Sequence, residues 1–367
     1  MEIFARILRG AVEAGASDVH LKIGAPVIFR IGGELVPVDA PPPTAEWMRT
    51  VLGEIVPAHL RARLEREHEI DFAHAPAEVG RFRVNIFQHR GGHVMALRLV
   101  KSAIRTFAQL HLPDTVRRIA EAPSGIVLVT GATGSGKSTT LAAMIDHINS
   151  TARKHILTLE DPIEFLFDDK QSIIEQREVG LDTATFASGL KNVLRQDPDV
   201  LVIGEMRDAE SAAAAMSAAN IGHLVISTLH TVDAAKSVQR LLEFFPAAER
   251  EQARQQFAST LRAVVCQRFV RTPGAERRPA LEILLNNAAV TKLIHTGALE
   301  KLPAAIELGA SEGMQTFNAA LHALVTAGQI TQDEALANSP HPEALKMRFQ
   351  GVILNETRRI LGSRDSS

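Results

Sequence analysis

Gly125-Ile126-Val127-Leu128-Val129-Thr130-Gly131-Ala132-Thr133-Gly134-Ser135-Gly136-Lys137-Ser138 is the stretch that decides the fold. Ile126–Val129 is a short, wholly apolar run, as a strand covered on both faces requires. Gly131–Ser138 fits G-x-x-x-x-G-K-[ST]. Glycines let such a loop turn its backbone N–H groups inward onto phosphate oxygens. The chain then reads as a helix with Leu141, Met144, Ile145 and Ile148 on one face, and its positive end adds to the same anion site. Strand, glycine loop and helix together predict a nucleotide-phosphate site, with Lys137 reaching the β- and γ-phosphates and the Ser138 hydroxyl ligating Mg²⁺.

Working outward, three more apolar runs alternate with helical patterns: His155–Leu159, Val200–Ile203 and Leu224–Ser227. Alternation of this kind predicts a mostly parallel sheet. Val200–Ile203 leads through Gly204 to Glu205, the Walker B pattern with Glu in place of the commoner Asp. An acid at the carboxyl end of a parallel strand lies where open α/β sheets bind ligands, so Glu205 can hold Mg²⁺ through water or polarise an attacking water. Glu160-Asp161-Pro162-Ile163-Glu164 follows the strand ending at Leu159. Its acids fit either a helix N-terminus or the same site. His223 and His230 flank the strand over 224–229. With no cysteine cluster beside them they do not make a zinc site, and His230 is a candidate γ-phosphate sensor.

Residues 1–100 have a different texture. Ile3, Phe4, Ile7, Leu8 and Val12 predict an amphipathic helix, and a helical stretch is expected over about 44–67. Short strands are predicted at 18–23, 27–31, 80–87 and 94–100, with turn glycines between them. The expected organisation is a small α+β domain over 1–100, a linker and natural hinge over 101–122, an ATPase-type core over 123–275, and a helical region over 276–367. Thr331-Gln332-Asp333-Glu334 matches a capping box within that last region. Cys266, beside Val264 and Val265, is expected to be a buried thiol in a helix. Arg268, Arg271, Arg277 and Arg278 read as a solvated hairpin or a subunit contact.

Composition narrows the function. The 367 residues are 46% hydrophobic and 22% charged, which is globular. A net charge of −2, 4% aromatics and no tyrosine speak against a nucleic-acid channel built on stacking and phosphate tracking, so no nucleic acid is expected. One cysteine rules out an internal disulfide. No apolar run approaches a membrane span, and the first residues lack a signal-peptide pattern. The expected compartment is therefore reducing cytoplasm.

Taken in order, these stretches resemble the secretion-superfamily hexameric ATPases, and most of all the type IV pilus retraction ATPases of the PilT and PilU group. Gly131–Ser138 matches the Walker A motif and Thr158–Phe165 the first Asp box. Arg195–Asp199 with Ile203–Asp208 matches Walker B and the second Asp box, and Ile221–Thr231 the His box. Ala16–Leu21 and Gly313–Phe317 also look familial. The resemblance implies a RecA-like P-loop ATPase core with a smaller PAS-like α+β N-terminal domain and a helical C-terminal part. It implies a homo-hexameric ring with ATP and Mg²⁺ between subunits. Gly131, Thr133, Gly134, Ser135, Gly136, Lys137, Ser138, Thr139 and His223 would bind nucleotide. Glu205, Glu164, His230 and Lys137 would serve hydrolysis, and Ser138, Glu205 and Glu164 would ligate Mg²⁺. Arg81, Arg83 and Arg98 would bring positive charge to the phosphates, although on residue pattern alone Arg81 and Arg83 suit any half-exposed strand. The implied partner is an inner-membrane pilus platform protein, which places the ring at the inner face of that membrane, at the pilus base.

One cysteine and about 120 residues before the loop leave no room for the cysteine-rich insert and extra domain usual in assembly ATPases, which favours retraction. Thr291 stands where retraction motors carry an arginine in an Ala-Ile-Arg segment. Two readings stay open: an independent retraction motor, or an accessory PilU-like motor working beside a second retraction ATPase. A related secretion or DNA-translocating ring, an ATP-binding switch module and a small-molecule kinase are the rivals. The last lacks any lid or acceptor-pocket signal.

Overall fold

The computed structural model describes residues 1–351 except Glu78, Lys101, Ser102, Leu194 and Ala275. It divides into two compact units, Met1–Ala103 with Pro162–Leu166, and Ile104–Asp161 with the chain from Phe167 onward.

In the first unit the order is α1 (Glu2–Glu13), β1 (Asp18–Lys22), β2 (Ile28–Ile31), β3 (Glu34–Pro37), α2 (Ala45–Ile55), α3 (Ala58–Glu67), β4 (Glu69–His74), β5 (Phe82–His89) and β6 (Gly92–Leu99). The strands form one antiparallel sheet in the order β3-β2-β1-β6-β5-β4. Its strands alternate. Phe82, Val84 and Ile86 are buried with Val19, Leu21, Met95 and Leu97, and against them pack Phe4, Ile7 and Leu8 of α1 and Met48, Val51 and Leu52 of α2. Pro57 splits the expected 44–67 helix into α2 and α3, since proline disfavours helical backbone in the residue before it.

In the second unit the order is α4 (Asp114–Ala120), β7 (Gly125–Thr130), α5 (Lys137–Thr151), β8 (His155–Glu160), β9 (Ile173–Glu178), α6 (Phe186–Val193), β10 (Val200–Ile203), α7 (Ala209–Asn220), β11 (Leu224–Leu229), α8 (Ala234–Glu243), α9 (Arg250–Thr260), β12 (Leu261–Arg271), β13 (Arg277–Leu285), α10 (Ala288–Thr296), α11 (Leu302–Leu308), α12 (Phe317–Thr326), α13 (Gln332–Asn338) and α14 (Pro342–Phe349). The sheet runs β13-β12-β7-β11-β10-β8-β9, and every neighbouring pair is parallel except the antiparallel β12–β13 hairpin. Both faces are covered. Val127, Val129, Val200 and Val202 meet Val116, Ile119, Leu141 and Met144 on one side. Ile126, Leu128, Leu201 and Ile203 meet the helices of the other, including Met216, Leu241 and Phe257.

Three expectations need correction. Most of the expected linker is folded: α4 buries Val116 and Ile119 against the second sheet, while 101–102 lie outside the described residues. The region expected to be helical from 276 opens with β13, held by nine-residue pairing with β12 from Ala263↔Leu285 to Arg271↔Arg277, and its end, 352–367, lies outside the described residues. Cys266 is buried as expected but in a strand, where its β-branched neighbours Val264 and Val265 are at home. Burial pushes its thiol far above the ordinary range, so it is an inert packing group. Among the described residues no helix is long and apolar enough to cross a membrane.

Candidate nucleotide site

Strand order places the carboxyl ends of β7, β11, β10 and β8 side by side. Each delivers a polar residue to the same edge: the glycine loop after β7, His230 after β11, Glu205 after β10, and Glu160 and Asp161 at the end of β8.

The loop is tight for a physical reason. Gly131 has φ +147° and Gly136 φ +90°, backbone that side-chain-bearing residues rarely adopt. A Cβ at Gly136 would also come within 2.7 Å of the Phe269 ring. Helix α5 begins at Lys137 without a side-chain N-cap, so its first-turn N–H groups are offered to whatever lies beyond. Lys137 is only 8% exposed. Its Nζ donates to the carbonyls of Gly131 at 2.9 Å and Ala132 at 3.1 Å, and lies 3.4 Å from His230 Nδ1.

His230 carries the line onward, with Nε2 3.4 Å from Glu205 Oε1. An ammonium can only donate, so Nδ1 accepts and the ring proton rests on Nε2, facing the carboxylate. The other Glu205 oxygen accepts from Arg207 Nε at 2.9 Å, and Arg207 Nη1 reaches Asp161 at 3.5 Å. Thr228 fixes the strand exit by donating to Gly204 O at 2.7 Å. Lys137, His230, Glu205, Arg207 and Asp161 thus form a continuous polar line across four strand ends. Arg207 received no role from its sequence, though its i+2 spacing from Glu205 puts it within reach.

One expected residue falls elsewhere. His223 precedes β11 and hydrogen-bonds Ala218 O through Nδ1 at 3.0 Å. It stands at the opposite end of the strand from His230, about 20 Å away at the rise of extended chain, because the six intervening residues form β11 itself. It therefore leaves this protomer's loop site. Glu164 is exposed within Pro162–Leu166, which groups with the first unit.

In that first unit Arg83 and Arg98 stand directly opposite each other on β5 and β6. Like charges so placed repel unless neutralised. Arg98 Nε donates to Asp18 at 2.8 Å and Arg83 pairs with Asp71 at 3.4 Å. Burial works upward on the Asp18 carboxyl, but hydrogen bonds from Ser17 and Arg98 and the charge of Arg98 outweigh it and hold it below the ordinary carboxylate range. Arg81 lies just before β5, half-buried.

The residues fit a Mg²⁺-bound triphosphate. The uncapped helix start and the buried lysine suit phosphate, and the Ser138 hydroxyl and Glu205 carboxylate are hard oxygen donors. Among the described residues no group of three or more His, Cys, Asp or Glu gathers as a ready metal site. Mg²⁺ is commonly held by one or two protein oxygens, phosphate oxygens completing its shell.

A family model for type II/IV secretion system proteins matches residues 1–316. The chain belongs to that family. It is 39% identical over 337 residues to the type IV pilus retraction ATPase PilT of Pseudomonas aeruginosa, covering 92% of this chain and 98% of that protein. It is 40% identical over 349 residues to the type IV pilus ATPase PilU of the same organism, covering 95% and 91%. A crystal structure of the pilus retraction motor PilT with bound ADP superposes with a TM-score of 0.87 at 41% identity, covering 93% of this chain and 98% of that one. The fold is accordingly the mixed α/β fold of the secretion ATPases, and this family member is a nucleotide-binding ATPase-type protein.

Proposed function

We propose that this secretion-family chain is a motor ATPase coupling ATP hydrolysis to type IV pilus retraction. The observation that carries the reading is the Lys137–His230–Glu205 line beside the glycine loop. Lys137 and the α5 N-terminus bind and orient the β- and γ-phosphates. Glu205 orients the attacking water and takes its proton. His230 bridges lysine and glutamate, so a change at the γ-phosphate reaches β11. Mg²⁺, held by Ser138 and Glu205, would neutralise phosphate charge. Arg81, Arg83 and Arg98 supply further positive charge to the phosphates in a hexameric ring of identical copies, which works on an inner-membrane platform protein at the cytoplasmic base of the pilus.

A second reading, an accessory motor dependent on another retraction ATPase, is favoured by Thr291. In α10 its hydroxyl donates to Asn286 Oδ1 at 3.0 Å, an inward bond unlike the long cation expected there. The test of the main reading is turnover by the purified chain. Lys137→Ala abolishes it. Glu205→Gln keeps ATP binding while hydrolysis falls about 10²–10⁴-fold. Near-normal turnover in either variant refutes the assigned role. Loss of twitching with retained pili in a deletion strain separates a motor from an ATP-binding switch.

A further inference from the structure

We propose that Gln267 is a positioning residue that sets the phosphate-binding loop from beneath, a role that rests on the nucleotide reading above. Strand β12 lies parallel to β7 with Cys266 paired to Thr130, so Gln267 is level with Gly131, the first residue of the loop. It is 4% exposed. Its side-chain amide is used at both ends: Nε2 donates to Ser135 O at 2.7 Å, and Oε1 accepts from the Thr140 hydroxyl at 2.6 Å. The orientation is fixed chemically, because a carbonyl oxygen can only accept. The backbone of Gln267 presses on the loop as well. A Cβ at Gly131 would collide with the Gln267 carbonyl, and one at Gly136 would approach Nε2 to 2.7 Å.

The consequence follows from peptide geometry. The peptide joining Ser135 to Gly136 is planar and trans, so its N–H points opposite its C=O. Gln267 draws the Ser135 carbonyl toward the sheet and thereby turns the Gly136 N–H outward, to the side where phosphate oxygens would sit. Through Thr140 the same amide ties that peptide to the first turn of α5, so loop and helix N–H groups are aimed as one body. An oriented donor stabilises an anion far better than one that must reorganise. Removing the amide leaves Ser135 O buried without its donor and frees the peptide to rotate.

The test is MgATP binding by calorimetry on the full chain, with denaturant unfolding run in parallel. Gln267→Met keeps the length and removes both hydrogen bonds; it should fold and bind MgATP about tenfold more weakly. Gln267→Glu keeps the shape but cannot donate when ionised. Its affinity, taken relative to wild type at each pH, should be weak at pH about 8 and recover toward wild type at pH about 6, where a buried glutamate protonates and can donate to Ser135 O. A residue that served stability alone would lower the unfolding free energy of Gln267→Met while leaving the MgATP affinity of the folded variant at the wild-type value. Wild-type affinity in Gln267→Met overturns the role, as does a pH-independent ratio in Gln267→Glu, which also decides the matter should the methionine variant not fold. If wild type itself takes up no MgATP, the nucleotide reading falls, and this role falls with it by a separable result.

Discussion

The two sheets of this chain carry their charge in opposite places. In the first unit one face of an antiparallel sheet packs on α1 and α2, and the other presents Arg83 and Arg98 with Asp18 and Asp71 across neighbouring strands. In the second, both faces are covered and largely apolar, and the charged groups of the candidate site stand at strand ends, with Gln267 beneath them inside β12. The lesson is about separability. A one-sided sheet can change its charged face with little effect on its core. A two-sided sheet can change its chemistry mainly at its strand ends, and its apolar strands such as β10 answer chiefly for stability.

The sharpest way to break that contrast is on the charged face. Arg83→Gln should lower ATP turnover by 10² or more if the arginine meets phosphate in the ring, the scale of an arginine supplied to a phosphoryl transition state. Its effect on unfolding should stay within about 0.5 kcal/mol, because its partner Asp71 is itself exposed. An equal loss of stability and turnover would erase the distinction. Next, Leu201→Ala, inside β10 and 1% exposed, should cost about 2–5 kcal/mol of stability, read by denaturant unfolding. Chemistry at Glu205 should survive in whatever fraction stays folded. The smallest effect belongs to Asp18. Its pKa is lowered in the folded chain, so its contribution is present above its unfolded value of 3.8 and is lost as pH falls through the folded value. Asp18→Asn should therefore be less stable than wild type near neutrality, and the gap should close in acid. A gap that is constant with pH would mean the Arg98 pairing is not charge-dependent.

Legibility followed the same division. β7, β8, β10 and β11 could be read directly because burial on both faces leaves them a central run of apolar residues. β4 and β9 could not: Glu69-Ile70-Asp71-Phe72 and Ile173-Ile174-Glu175-Gln176 are edge strands, where one neighbour and much solvent permit polar side chains. β13 was hidden by Arg277, Arg278 and Pro279, tolerable because β13 is also an edge. At the site, Lys137, Glu205 and His230 were legible from motif and strand end. His223 and His230 share one motif but stand at opposite ends of β11; a motif that spans a whole strand does not say which end is which. Gln267 carries no local signal. Only the register between β12 and β7, a relation between residues 136 positions apart in the case of Thr130 and Cys266, brings it under the loop.

The central claim is that the loop over 131–138, with Lys137 at its centre, grips a magnesium-bound triphosphate. Calorimetric titration of the intact chain with MgATP tests it most directly. Saturable uptake that disappears in Lys137→Ala, with both proteins folded, is the predicted result. No heat of binding from the folded wild-type chain, or undiminished binding in Lys137→Ala, would contradict it.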